Sequence, residues 1–305
     1  MTAITRQSKH KNRIREGSKA VDVVMYLIAA FVILITVYPM YYVLIISLSA
    51  PEVAITMKVY THPIGFNINA YKVLLKNADY WRSYLNTLLY LAPNTILPIV
   101  LATMVAYPMS YNHLIGRKIL TYFLIIPMYI GGGLIPTFLL IRRLGLYNTP
   151  WVMVCPLGVS ISSIILIHSA FRRVPNELRE AATIDGANIY QVLIHVYLPA
   201  SVAIFAVMAI RALVGTWNDW YKAYIYLPKR DWQPLQLYLR RLLTLESTFT
   251  EELSEQEAKE LEDYKLAIAQ LKYAMIIIST LPILCVYPYF QRFFIKGVML
   301  GSLKG

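Results

Sequence analysis

Ionisable side chains inside apolar sequence are where binding chemistry would sit, and this chain has few of them. Arg211 lies about ten residues into an apolar run and is the only Arg or Lys at such depth. Hydrocarbon does not solvate a cation, so Arg211 must face protein, water or an anion. It is suited either to an anionic solute or to a structural pair with a group from another subunit. Asp219 follows eight residues later, roughly 12 Å along a helix, too far for direct pairing. Trp217, Asn218, Asp219 and Trp220 close the same run. Aromatic faces there can stack on a bound ring, although anchoring a span at the membrane interface is their commoner use.

A second cluster is polar and helical. The segment 174–199 opens with Val174-Pro175-Asn176, where Pro175 precedes a helix and Asn176 is a favourable N-cap. Glu177 and Glu180 suit the positive end of the helix dipole. Ala181 and Ala182 are small enough to admit another surface closely. Gly186 supplies a turn that a side chain would resist. A second short helix with an apolar face follows, and Pro199 opens the next apolar run. The spacing predicts a helix–turn–helix lying at a membrane surface.

Other chemistries find no support in the residue pattern. His168 and His195 lack partners at metal or triad spacing, and no paired carboxylates suggest general acid–base work. The expectation is a chain that is not an enzyme, with no catalytic residue, metal or cofactor of its own. Cys155 and Cys285 fall in apolar runs and read as small hydrophobes. No G-x-x-x-x-G-K-[ST] loop is present to cradle nucleotide phosphates. Gly131-Gly132-Gly133 lies within an apolar run and reads as a helix distortion or a close-packing point.

The elements that must position these groups are apolar. Of 305 residues 57% are hydrophobic and 15% charged, against about 25% charged in a soluble domain. Six runs are long enough to cross a bilayer: 23–47, 84–107, 119–140, 151–171, 201–221 and 273–294. The expected class is an all-α membrane protein of six transmembrane helices. The first run spans about 25 residues, too long for a cleavable signal core of about 7–15. It reads as a retained anchor.

Residues 1–22 are basic, with Arg6, Lys9, Lys11, Arg13, Arg15 and Lys19, which places the N-terminus in the cytoplasm. Both termini then lie inside, with a six-span membrane domain over 23–294, an inner loop at 172–200, an outer loop at 222–272 and an inner tail at 295–305. The inner segments carry net +10 and the outer ones net +2. The formal charge of +12 is thus explained by orientation, and nucleic acid is not expected as a partner. Within the outer loop, Glu246–Asp263 is acidic, and Ser254 with Glu257 resembles a capping box, predicting a helix near 254–271.

Glu180-Ala181-Ala182, three residues, Gly186, nine residues, Val196, one residue, then Leu198-Pro199 resembles the EAA loop of binding-protein-dependent ABC importers. The family has isoleucine where Val196 stands. The tail, with Tyr287-Pro288, Gln291, Phe294, Lys296-Gly297, Met299, Gly301-Ser302 and Lys304-Gly305, looks like that of carbohydrate-type permeases of the lipo- and polysaccharide-uptake group. Trp217-Asn218-Asp219 is similar to an element of maltose-type permease subunits. The resemblance covers roughly residues 20–305.

It implies a type I transmembrane domain whose cytoplasmic coupling helix docks on an ATPase, through Glu180, Ala181, Ala182, Asp185, Gly186, Leu198 and Pro199. It also implies partners: a second homologous permease subunit, an ATPase dimer that binds ATP and Mg, an extracytoplasmic binding protein, membrane lipid and an oligosaccharide. Arg211 would then meet a carboxylate on an acidic sugar such as an alginate or pectin fragment, with Trp217, Asn218, Asp219 and Trp220 along the same path. Two alternatives stand. One is an ABC permease for another solute class. The other is a secondary transporter, which would need more buried ionisable groups and repeated halves.

Overall fold

A computed structural model describes residues 19–302 apart from 58, 60, 112–113, 156–159 and 246–254. The basic segment before Lys19, the Ser254 half of the expected capping box and the last three residues lie outside the described residues. Among those described there is no strand. The chain opens with α1 (Lys19–Ser47), α2 (Pro51–Thr56), α3 (Asn69–Lys76) and α4 (Ala78–Ser110). Then come α5 (Arg117–Tyr129), α6 (Leu134–Arg143), α7 (Trp151–Val154) and α8 (Ile161–Phe171). The loop segment holds α9 (Asn176–Ile184), α10 (Ile189–Val192), a π-helical turn (Leu193–Tyr197) and α11 (Leu198–Ala200). The remainder is α12 (Val202–Trp217), α13 (Tyr221–Tyr226), a 3-10 turn (Arg230–Trp232), α14 (Leu235–Leu245) and α15 (Glu255–Ser302).

The six apolar runs are not six unbroken helices. Among the described residues, α1, α4 and α15 each contain a stretch long and apolar enough to cross a bilayer alone. The third run breaks between α5 and α6, which meet at 109°. Gly133 supplies the break with φ +79, and a Cβ placed there would meet nothing. The constraint is therefore backbone conformation, not close packing. The fourth run is split into the four-residue α7 and the eleven-residue α8. Before the fifth, the segment Ile189–Ala200 meets α12 at 78°, with Ser201 at the corner. Pro199 sits inside α11, one turn before the span instead of at its first residue.

The helix expected near 254–271 does form from Glu255, but it does not end before the last span. It runs unbroken into it as the 48-residue α15. At 1.5 Å per residue this rod is about 70 Å long, against a hydrocarbon core of about 30 Å.

The long α4 is the hub, packing on α8, α12 and α14. It starts cleanly because the Asn77 side chain accepts from the backbone N–H of Asp79 and Tyr80. Pro93, Pro98 and Pro108 lie within it, as membrane helices tolerate. At the end bearing the 172–200 loop, Ala102, Ala106 and Tyr107 pack with Ile164, Ile167 and Phe171 of α8. At the far end Tyr80, Trp217, Leu235 and Met275 bring α4, α12, α14 and α15 together.

Polar stitches hold that far end. Asn86 Nδ2 donates to the carbonyls of Asp231 at 2.7 Å and Gln233 at 3.2 Å. The Tyr90 hydroxyl donates to the Trp232 carbonyl at 2.8 Å, and the Leu235 N–H donates to Thr87 Oγ1 at 2.9 Å. The loop before α14 is thereby sewn to α4 by groups that need no water. In contrast, α1 is exposed from Val21 to Met40 and buries only its last turns, through Ile45 and Ile46. An apolar helix so bare is covered by lipid or by another protein.

Asn86 is buried, so Asn86→Leu leaves two carbonyls without donors and should cost about 1–3 kcal/mol. The expected outcome is a lower unfolding midpoint of the detergent-purified chain, with new protease cleavage between 227 and 235.

Candidate functional site

The loop between α8 and α12 is held by its own turns and by a tyrosine seat. Pro175, not Asn176, occupies the N-cap position of α9, and no side chain caps that end. Asn176 is instead the first helical residue, since Pro175 already takes the extended conformation that a cap requires. Glu177 lies in the first turn, where a carboxylate offsets the helix dipole. The C-terminus closes as a Schellman motif: the N–H of Gly186 donates to Thr183 O at 3.1 Å, and that of Ala187 to Ala182 O at 2.9 Å. Gly186 has φ +81, the left-handed conformation this motif needs. Asn188 then starts α10 through a capping box. Its Oδ1 accepts from the Tyr190 and Gln191 N–H groups, while Gln191 Oε1 accepts from the Asn188 N–H at 2.8 Å. Asn188 and Gln191 were missed in the sequence, although an Asn followed three residues later by Gln is that motif's signature.

The seat is built by α4. The Tyr107 hydroxyl donates to the Ile189 carbonyl at 2.9 Å, so it accepts from the Tyr111 hydroxyl 2.7 Å away. The rings of Tyr107, Phe171 and Tyr197 meet edge to face, with centroids 5.2 to 6.1 Å apart. The Arg179 guanidinium lies 5.1 Å over the Tyr111 ring. Three helices, α4, α8 and the start of α12, therefore clasp the loop.

What the loop presents is one face of α9. Glu177, Glu180, Ala181 and Ile184 recur at helical spacing and are exposed, Ile184 at 86%. Glu180 has only a loose contact with Arg179, at 3.8 Å. Ala182 points the other way and packs on the core, so of the two alanines only Ala181 is offered outward. Leu198 packs on the same core, whereas Asp185 and Pro199 are exposed. Ile184 was not singled out from the sequence. Its position four residues after Glu180 is the signal that could have found it.

The second group lies along α12. Arg211, Val214, Gly215 and Asn218 share an exposed face at helical spacing. Among the described residues no carboxylate pairs with Arg211. Gly215 leaves a gap beside it where a Cβ would meet nothing. Asn218 Nδ2 donates to the Val214 carbonyl at 3.0 Å. Trp217 is turned inward instead, 4% exposed, donating Nε1–H to the Ser279 carbonyl at 2.9 Å and meeting Tyr84 edge to face. Placed there it ties α12 to α15 and does not line the open face with Arg211. Asp219 is half-buried and accepts from the Lys222 N–H at 3.2 Å. Beyond the span, Lys222 Nζ donates to the Met153 carbonyl at 2.8 Å, and burial pushes that ammonium below its usual range while Asp219 opposes the shift. Trp220 lies under the Arg240 guanidinium at 3.7 Å.

Kinked apolar helices around a clasped polar helix–turn–helix define a multi-pass membrane transport subunit. Residues 98–300 match the family described as binding-protein-dependent transport system inner membrane component, and the chain belongs to that family. It is 30% identical to Protein LplC of Bacillus subtilis over 97% of this chain and 99% of that one. It is also 30% identical to the polygalacturonan/rhamnogalacturonan transport system permease protein YtcP of the same organism, covering 93% and 98%. A solved bacterial ABC transporter for import of the acidic polysaccharide alginate contains a chain that aligns with TM-score 0.79 at 26% identity, over 95% of this chain and 100% of that one. A second structure, that transporter type with a pentasaccharide-bound periplasmic protein, aligns at TM-score 0.53 and 17% identity and shows the fold alone.

Gly186→Val puts a β-branched residue at φ +81 and should cost about 1–2 kcal/mol locally. Faster amide exchange across 176–190 would register it, with little change for Gly186→Asn, since Asn tolerates this conformation.

Proposed function

We propose that this chain is the permease half of an ATP-driven importer that carries an oligosaccharide, in particular one bearing uronate groups, and that it binds no ATP itself. The observation that carries the importer reading is the clasped loop, whose outward face is Glu180, Ala181 and Ile184. A carboxylate, a small residue and a bare isoleucine together suit a cleft with a basic group, an apolar floor and room for close backbone approach. In this reading the loop faces the cytoplasm, as the basic N-terminus implies, and an ATPase dimer holding ATP and Mg docks there. Because the loop is tied to α4, α8 and α12, closure of the ATPases would rock these helices as a body and open the path to alternate sides.

Two further features support the assembly. The bare length of α1 and the open face of α12 are surfaces that a second, homologous permease subunit would cover. The far end of the bundle, with its stitched 227–235 loop, is where an extracytoplasmic binding protein would deliver the sugar. For the solute, Arg211 is the guide: a cation within the span with no carboxylate partner on the described residues favours an anionic cargo. The relatives for polygalacturonan/rhamnogalacturonan and alginate favour the same class.

Two outcomes test this. Glu180→Lys should leave the chain folded and membrane-inserted but cut uptake at least tenfold while ATP hydrolysis persists. Unchanged uptake would remove the coupling role. Arg211→Ala should depress uptake of uronate-containing oligosaccharides more than that of neutral ones, and equal loss on both would remove the acidic-sugar reading.

A further inference from the structure

At the end of the bundle away from the coupling loop, the start of α13 and α14 bring together Trp220, so far placed only along the expected solute path, and Arg240, which has no role above. The Arg240 guanidinium lies over the Trp220 indole, its carbon 3.7 Å from the ring centroid. A stacked guanidinium keeps its N–H fork directed outward in its own plane, oriented before any ligand arrives. Arg240 is exposed, and it forms neither an ion pair nor a side-chain hydrogen bond among the described residues.

Among the described residues no carboxylate is paired with that fork, although Asp79 of α4 lies near enough to act on the adjacent Arg241. Between residues 219 and 245 the chain has five Lys or Arg and two Asp. Asp231 is taken by Arg82 at 2.7 Å, and Asp219 is turned to the Lys222 backbone. Arg241 is held below its usual range by burial and then by nearby Arg230, while Asp79 and Tyr238 oppose the shift. Tyr221 and Tyr224 stand edge-on to Trp220, with centroids 5.5 and 6.3 Å away, and both are exposed, offering ring faces beside the cation.

We infer that Arg240 on Trp220, with Tyr221 and Tyr224, forms an entry subsite for a uronate unit: the guanidinium takes the carboxylate and an aromatic face takes the sugar ring. The bidentate fit of guanidinium to carboxylate supplies the specificity. Arg211 lies six residues before the end of α12, about 9 Å deeper along the helix. Two cations separated in depth match a chain with repeated carboxylates better than a single charged sugar. The inference rests on the oligosaccharide reading above and adds a subsite to it.

Binding of trigalacturonate and of maltotriose to the assembled transporter in phosphatidylcholine nanodiscs tests it. Arg240→Gln should weaken trigalacturonate about tenfold, leave maltotriose unchanged and keep the thermal midpoint. Arg240→Lys should lose part of that affinity, because the charge remains without the planar fork. Equal loss for both sugars together with a lower midpoint would make Arg240 a structural tie and overturn the subsite. An effect seen only when phosphatidylglycerol is added would make it a lipid anchor and overturn it equally. If the wild type binds maltotriose but not trigalacturonate, the subsite falls while the oligosaccharide reading stands. If it binds and carries neither, that reading itself fails.

Discussion

One phenol sets the relation between the polar loop and the apolar bundle. The Tyr107 hydroxyl donates to the Ile189 carbonyl, and its ring is wedged against Phe171 and Tyr197. A helix–turn–helix of this length has little core of its own, so without such a clasp it would be a solvated strap. With it, the loop's position is tied to α4, and α4 is tied to nearly everything else. The clasp is a sum of ordinary terms: one hydrogen bond, worth about 1 kcal/mol net, and several edge-to-face rings, each worth about 0.5–1.5 kcal/mol. It resists small displacements, yet it leaves the exposed face of α9 free to meet another molecule.

The two ends of the bundle solve different problems. Toward the loop, aromatic packing dominates and the polar groups are few. At the other end the chain must bring irregular backbone against membrane-spanning helices. It does so by giving buried carbonyls side-chain donors from Asn86, Tyr90 and Gln233. Irregular backbone at such depth is stable only when its polar groups are met by protein or water. The gap of peptide structure at Gly131-Gly132-Gly133 and the corner at Ser201 belong to the same class of feature. The glycine segment is exposed, whereas Ser201 is buried.

Much of this was legible in the sequence, and the failures share a cause. Apolar runs located α1, α4 and α15, because a helix facing lipid or protein must be apolar. Among the described residues, however, only three helices, or five counting the bent pairs, are long and apolar enough to span, not the six expected. Gly186 announced a turn, because only backbone freedom explains a glycine there. The continuity of α15 was hidden: its acidic first turns and its apolar remainder look like separate elements, although nothing between them stops a helix. The inward turn of Trp217 was equally hidden, since interface and core tryptophans differ in rotation and not in type. Pairs distant in sequence, such as Arg240 with Trp220 and Tyr107 with Ile189, leave no local periodicity to read.

The length of α15 has a mechanical meaning. A rod of about 70 Å that crosses a layer of about 30 Å must project from it by tens of ångströms in total. Tilting such a lever by about 5° sweeps a tip 40 Å from the fulcrum through about 3.5 Å, and the helices that Trp217 and Gln270 tie to it must move with it. Pro282 and Pro288 sit within it and soften the shaft where the missing N–H groups fall. The last helix is thus long enough to reach well beyond the layer it crosses, so its acidic start and its apolar remainder stand on one continuous element.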